Sequence, residues 1–172
     1  MSYRCSREVA EFASGLLGDL SEEPMAPITV RSGPPVELFR FTDHGACVAF
    51  LADALSALVS HEPLASVAVL TPSRELSALY TRGLAAGEVP RLRQVEEQNF
   101  TFAPGVEVTE IEQAKGLEFD YVVLVETSTS YFPDAPAARR RLHVGATRAV
   151  HQLWLTSVGT PAAAVRALLG TG

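Results

Sequence analysis

The chain has 172 residues, of which 47% are hydrophobic and 20% are charged. These values are typical of one folded domain and exclude a disordered chain, a collagen-like repeat and a coiled coil. The net charge of −6 argues against a domain that binds nucleic acid through bulk positive charge. Any nucleic-acid role would therefore depend on a few placed side chains.

The two cysteines, Cys5 and Cys47, are too few and too far apart in sequence for a disulfide framework or a zinc site. The polar, charged start of the chain is unlike a signal peptide. The apolar stretch 46–59 contains Asp53 and is shorter than the ~20 residues of a membrane span. We therefore predict a cytoplasmic protein that has no membrane partner.

Hydrophobic spacing predicts helices and strands that alternate along the chain. In chain order the predicted elements are helix 7–17, a connector over 21–35, strand 36–41, a helix from Asp43 to about Ser60, strand 67–70, a helix from Ser73 to about Ala86, strands 91–95, 105–111 and 121–125, helix 137–149, strand 152–157 and helix 162–169. Wholly apolar central strands predict an α/β fold of three layers: a mostly parallel sheet with helices on both faces. We expect a single domain, 1–172, with ligands at the carboxyl ends of its strands.

Several motifs of self-sufficient enzymes do not occur in this sequence. It contains no Gly-x-x-x-x-Gly-Lys-Ser/Thr phosphate loop, no Gly-x-Gly-x-x-Gly, no Cys-x-x-Cys and no Gly-x-Ser-x-Gly. The four histidines are scattered, and no metal site is predicted. Catalysis by this chain unaided is not expected.

The most informative segment precedes the most apolar strand. Lys115, Gly116 and Glu118 lie in the turn before strand 121–125. Lysine can neutralise a phosphate, glycine lets the backbone approach a ligand closely, and a carboxylate can accept hydrogen bonds from a sugar. The alternative is a polar loop that only leads into the strand.

A second segment, 139–149, carries arginines on a predicted helix. Arg148, near the helix end, fits either a solvated helix cap or a group aimed at a phosphate in transfer. We interpret the basic run 139–141 as a solvated face in preference to a nucleic-acid patch.

These segments, with the start of the chain, resemble three motifs of superfamily 1 helicases of the UvrD/RecB type. Residues 3–13, reading Tyr-Arg-Cys-Ser at their start, resemble motif IV; 114–123 resemble motif V, and 142–149 resemble motif VI. The three motifs occur in the family order and on the expected elements. The resemblance implies the second, C-terminal RecA-like domain of such a protein, whereas the first domain carries the phosphate loop, the magnesium carboxylate and the catalytic base.

The resemblance also implies roles for single residues. Arg4 and Arg148 would act as arginine fingers on the γ-phosphate of ATP, and Glu118 would bind the ribose. Lys115 and Gly116 would shape the turn beside the nucleotide. ATP with Mg²⁺ would be bound mainly by the N-terminal RecA-like domain, so this chain alone is predicted to be inactive. Because the sequence begins within motif IV, we expect it to be part of a longer protein.

Motif V departs from the family pattern where nucleic acid is expected. Glu110 and Glu112 replace the Thr-x-His that contacts the strand in DNA-tracking members, and a carboxylate there would repel phosphates. Three more acidic residues lie upstream, at Glu96, Glu97 and Glu107. The candidate nucleic-acid contacts are Thr71, Ser73, Arg74 and Glu112, although Ser73 equally fits a helix cap.

The span between motifs V and VI, from Asp120 to Arg139, is short, which is similar to HelD-like relatives that act on RNA polymerase. The sequence therefore predicts half of an ATP-dependent helicase or translocase that moves on single-stranded DNA. Remodelling of RNA polymerase by a HelD-like ATPase remains one alternative. The other is a degenerate binding module without hydrolysis.

Overall fold

The computed structural model describes residues 5–20, 31–95, 100 and 103–170, and all structural statements below concern these residues. Arg4 and most of the connector predicted over 21–35 lie outside them. The helices are α1 (Arg7–Leu17), α2 (His44–His61), α3 (Arg74–Ala86), α4 (Pro136–Ala146) and α5 (Ala163–Leu169). The strands are β1 (Glu37–Phe41), β2 (Ser66–Thr71), β3 (Leu92–Gln94), β4 (Gly105–Glu110), β5 (Phe119–Leu124) and β6 (Ala149–Val158).

The six strands form one parallel sheet in the order β1-β6-β5-β2-β4-β3. The central strands β2 and β5 are almost continuously buried, which explains why their sequences are apolar without alternation. The α/β fold predicted from the sequence is therefore confirmed, and every described strand pair in the sheet is parallel.

Helices cover both faces of the sheet and enclose two apolar cores. One core packs α1, α4 and α5 on the sheet, and the other packs α2 and α3 on the opposite face. Side-chain caps begin three helices: Ser6, Asp43 and Ser73 accept hydrogen bonds from amides in the first turns of α1, α2 and α3. The cap predicted at Asp43 is thus confirmed.

The predicted helix 137–149 is too long at its end. The helix ends with hydrogen bonds from the Thr147 amide to the His143 carbonyl and from the Arg148 amide to the Gly145 carbonyl. Ala149 already belongs to β6, where it is fully buried. Ala149 fits the helical spacing of apolar residues because its side chain packs in the same core as the buried face of α4, although it lies on the following strand.

Helix α2 has 18 residues and a mean hydropathy of 1.2, so among the described residues it is the one helix whose length and composition would suffice to cross a membrane. Its buried side chains, including Leu51, Leu55 and Val59, belong to the core between this helix, α3 and the sheet. This packing is that of a helix covering a sheet, and it accounts for the apolar composition.

Candidate functional site

The turns that precede β5 and β6 lie side by side at the amino ends of these strands. Phe119 and Ala149 are register partners, and the Phe119 amide donates to the Arg148 carbonyl at 2.8 Å. Glu118 and Arg148 directly precede these partners and therefore share one edge of the sheet. We define the amino-edge cluster as Lys115, Gly116, Glu118 and Arg148.

Within this cluster the Arg148 side chain joins the motif VI helix to the motif V turn. Its Nε donates to the Val144 carbonyl at 3.1 Å and its Nη1 to the Leu117 carbonyl at 3.0 Å, while Nη2 donates to Thr147 Oγ1 at 3.1 Å. Burial lowers the pKa of the guanidinium, and the charge of Glu118 partly offsets that shift. Among described residues these bonds use three of the five N–H groups, which leaves two directed at no acceptor in this part of the chain.

The motif V turn is open to solvent. Lys115, Gly116 and Glu118 are exposed, and Gly116 has a φ of +84° with no atom of a described residue within 4 Å of the position where a Cβ would lie. Glycine is therefore required here by the backbone conformation and not by crowding from the protein. Within the described part of the chain, no residue fills the space next to Gly116.

The general rule for parallel sheets predicts ligands at the carboxyl edge, but the residues of the amino-edge cluster lie at the opposite edge. The reason is the short connection between β4 and β5. It turns through a 3₁₀ helix, Ile111–Ala114, at the carboxyl edge and reaches the amino edge within eight residues. Motif V therefore spans the sheet from edge to edge.

The residues predicted to contact nucleic acid lie at the carboxyl edge, where Thr71 and Glu110 are register partners at the ends of β2 and β4. Thr71 is fully buried and is hydrogen-bonded to Ser77 Oγ at 2.6 Å. Ser73 caps α3 through a bond from the Leu76 amide at 3.2 Å. Arg74 is exposed at the start of the same helix.

Glu112 is paired with an arginine that sequence reasoning had assigned to solvent. Arg141 Nη2 donates to Glu112 Oε1 at 2.9 Å, and its Nε donates to the other carboxylate oxygen. The same guanidinium also donates to the Pro72 carbonyl and lies 5.5 Å from the centre of the Phe132 ring. The hydrogen bonds and the positive charge of Arg141 lower the pKa of Glu112, and burial opposes this shift.

The basic run 139–141 is therefore not a uniformly solvated face. Arg139 donates to the carbonyls of Leu16 and Leu17 at the end of α1 and pairs with Asp19 at 3.3 Å. Only Arg140, of the three, is exposed. Two of these arginines hold α4 against its neighbours.

The acidic residues near motif V also differ from the expected repulsive surface. Glu107 is 4% exposed and pairs with Arg93 at 2.9 Å, so it does not face solvent. Glu96 and Glu97 lie outside the described residues. Among the described acidic residues of this region, Glu107 and Glu112 are thus each paired with an arginine.

One buried carboxylate was missed altogether. Glu126 is 2% exposed and is contacted by His44 and Tyr80. The only sequence signal was a glutamate directly after the apolar strand 121–125. No group of three or more histidine, cysteine or acidic side chains with the geometry of a metal site occurs among the described residues.

Part of the sequence matches the model of a known family. Residues 105–156, which run from β4 into β6, match the family model of the UvrD-like helicase C-terminal domain. This match confirms the resemblance on motifs V and VI. Among curated proteins, none matches the sequence.

One solved structure has the same fold over nearly the whole chain. The chain is similar to the C-terminal domain of a possible DNA helicase from Lactobacillus plantarum WCFS1, with a TM-score of 0.78 and 24% identity over 96% of this chain and 92% of that chain. A weaker likeness is to the UvsW helicase of bacteriophage T4, with a TM-score of 0.47 and 8% identity over 69% of this chain and 45% of that one. The likeness to the Lactobacillus structure shows that this chain has the α/β fold of that C-terminal domain.

Proposed function

We propose that this helicase-like domain is the C-terminal half of an ATP-dependent superfamily 1 motor. ATP binds between it and an N-terminal RecA-like domain of the same protein, which contributes the phosphate loop and the Mg²⁺ ligands. The motor moves along single-stranded DNA. The observation that carries the proposal is the contact of Arg148 with the motif V turn, at 3.0 Å from Nη1 to the Leu117 carbonyl.

The residues of the amino-edge cluster have the chemistry that a nucleoside triphosphate needs. Arg148 remains cationic and has two N–H groups left for a phosphate, and Lys115 adds a second positive charge. Glu118 presents an exposed carboxylate to a ribose hydroxyl. Closure of the two domains brings Arg148 onto the γ-phosphate, where it stabilises negative charge in the transition state. Arg4 is proposed to act with it.

Nucleic acid is proposed to bind at the carboxyl edge, beside Ser73, Arg74 and Glu112. ATP then binds at one edge of the sheet and nucleic acid at the opposite edge, and motif V connects the two edges. Domain closure at the amino edge moves the carboxyl edge with it, because the sheet between them is a rigid, buried layer.

Remodelling of RNA polymerase is the second candidate, and one observation favours it. Glu112 is a residue that we propose to lie beside nucleic acid, but its carboxylate is paired with Arg141. In DNA-tracking relatives, by the resemblance, a hydrogen-bond donor stands at this position. A motor of this kind hydrolyses ATP without stimulation by DNA and binds the polymerase. Pull-down of RNA polymerase by the full-length protein, in buffer containing nuclease, separates this candidate from the first.

The sharpest test of the nucleotide site uses the ribose. In the full-length protein, Glu118→Ala should raise KM for ATP about tenfold, because a hydrogen bond to a charged group is lost. With 2′,3′-dideoxy-ATP the wild type should already have lost that bond, and Glu118→Ala should change KM less than twofold. Asp53→Ala, at an exposed acidic position of α2, is the matched control and should alter neither value.

An equal effect of Glu118→Ala on both nucleotides would exclude the ribose contact. ATP turnover that is absent from the full-length protein and unaffected by any partner would exclude the motor. It would favour the binding module without hydrolysis.

A further inference from the structure

The proposed nucleotide chemistry leaves one strongly held group unused, at the end of β5. Glu126 is 2% exposed, and its Oε1 accepts a hydrogen bond from Tyr80 Oη at 3.0 Å and lies 2.8 Å from His44 Nδ1. Tyr80 is itself fully buried in α3, whereas His44, the first residue of α2, is 43% exposed. One carboxylate thus joins the end of a central strand to both helices on that face.

The backbone of Glu126 is also in a conformation that few side chains adopt. Its φ is +59°, in the left-handed region that glycine favours. In a regular strand, the amides of residues i and i+2 point to the same neighbouring strand. Here the Val125 amide donates to Leu70 of β2 at 3.0 Å, whereas the Thr127 amide donates to Thr156 of β6 at 2.9 Å. The left-handed residue between them reverses the direction of pairing.

This reversal sets the path of the chain into the motif VI helix. After Glu126, Thr127 pairs with the end of β6, and its carbonyl accepts a bond from the Ala162 amide at 2.8 Å. The segment 127–135 then leads to α4, which ends two residues before Arg148. With an extended conformation at residue 126, the Thr127 amide would point towards β2 instead.

We propose that His44, Tyr80 and Glu126 form a clasp that holds residue 126 in its left-handed conformation and so fixes the course of the segment 127–135 into α4. Glu126 is a positioning residue: it acts on Arg148 through α4 and does not touch the nucleotide. The effect on turnover rests on the proposed ATPase function, whereas the effect on the backbone does not.

The groups that face the carboxylate explain why the clasp is specific. From α2 come His44 and the buried Cys47 thiol, and from α3 comes Tyr80, whose hydroxyl also lies 3.5 Å from Cys47 Sγ. The described elements contribute no lysine or arginine to these contacts. Tyr80 Oη and His44 Nδ1 both approach the same carboxylate oxygen, so the side-chain oxygen of a glutamine at position 126 can accept from Tyr80 and keep the contact with His44.

The first experiment measures amide hydrogen exchange in the 172-residue chain by NMR. Tyr80→Phe removes the hydroxyl that donates to Glu126 and does not change residue 126 itself. It should speed exchange of the Thr127 amide about tenfold. Glu126→Gly should speed it by more than that, and Glu126→Gln should stay within about threefold of wild type. Tyr131→Phe, at an exposed tyrosine, is the matched control for the first variant. Glu88→Gly is the control for the second, because Glu88 has a φ of 61° and is exposed.

An unchanged exchange rate of the Thr127 amide in both Tyr80→Phe and Glu126→Gly would overturn the clasp. An increase of that rate in Glu88→Gly equal to the increase in Glu126→Gly would overturn it too. In the full-length protein, Glu126→Gly should lower kcat for ATP, and Glu126→Gln should restore it to within about threefold of wild type. Equal loss in both variants would contradict the positioning role. A wild type without turnover would refute the proposed function, while the exchange results would still decide the clasp.

Discussion

Replacement of Arg148 by alanine separates the structural role of this side chain from its proposed role on ATP. Three hydrogen bonds, to Val144, Leu117 and Thr147, would be lost. Because water can replace these bonds at a half-buried group, each contributes about 1 kcal/mol, and the loss is about 3 kcal/mol. A domain stable by about 5–15 kcal/mol would remain folded after that loss. Unfolding therefore cannot account for a large fall in activity.

An arginine finger contributes much more to the rate. Its removal lowers kcat by about 10³–10⁵, which corresponds to ~4–7 kcal/mol of transition-state stabilisation. We therefore expect Arg148→Ala in the full-length protein to lose at least 10³ in kcat, while urea unfolding of the 172-residue chain shows a loss of ~3 kcal/mol or less. Arg140→Ala, at an exposed position of the same helix, is the matched control for both assays.

A fall in kcat of less than tenfold, with the stability loss as stated, would refute the assignment of Arg148 to the γ-phosphate. Arg148 would then be a structural cap that ties α4 to the motif V turn. Arg148→Lys provides a second comparison: it keeps the charge but not the planar fork, and we expect kcat to fall between those of wild type and Arg148→Ala.

Three further predictions concern the rest of the domain. Burial raises the pKa of Glu126, so its contribution to stability is present below the unfolded value of about 4.5 and is lost as the pH rises through the folded pKa. The free energy of unfolding of Glu126→Gln, relative to wild type, should therefore increase between pH 4.5 and 8 in urea titrations, and a constant difference would contradict this. Glu112→Gln should release Arg141 and strengthen binding of a single-stranded oligonucleotide to the full-length protein, with a steeper salt dependence; unchanged binding would place nucleic acid elsewhere. Gly145→Ala should cost about 1–3 kcal/mol by urea unfolding, because its Cβ would lie 2.6 Å from Leu124 Cδ2 and Leu124 is fully buried; full stability would show that the Leu124 side chain can move aside.

The fold could be predicted from the sequence because each layer has its own local signal. Apolar runs without alternation predicted buried parallel strands, and Asp43 and Ser73 predicted helix starts through their capping chemistry. The end of α4 could not be predicted in this way. Ala149 is equally suitable for a helix face and for a buried strand, and the choice depends on its pairing with Phe119, thirty residues earlier in the sequence.

The site was predictable only in part, for the same reason. Each of motifs V and VI is a continuous stretch of sequence, so its residues could be identified without a structure. That the two motifs lie side by side at the amino edge could not be predicted in this way. The pairing of Glu112 with Arg141 joins residues 29 apart on different elements, and no local pattern specifies it. The clasp at Glu126 depends on three elements and on a left-handed backbone, both of which are tertiary properties.

The most direct test of the central claim is steady-state ATP turnover by the full-length protein, measured with and without single-stranded DNA. A motor whose nucleotide lies against the amino-edge cluster and whose track lies at the carboxyl edge should hydrolyse ATP, and the strand should stimulate that turnover at least tenfold. Turnover that is indifferent to DNA would contradict the DNA-tracking motor and favour action on RNA polymerase. No turnover under any condition would contradict the ATPase itself.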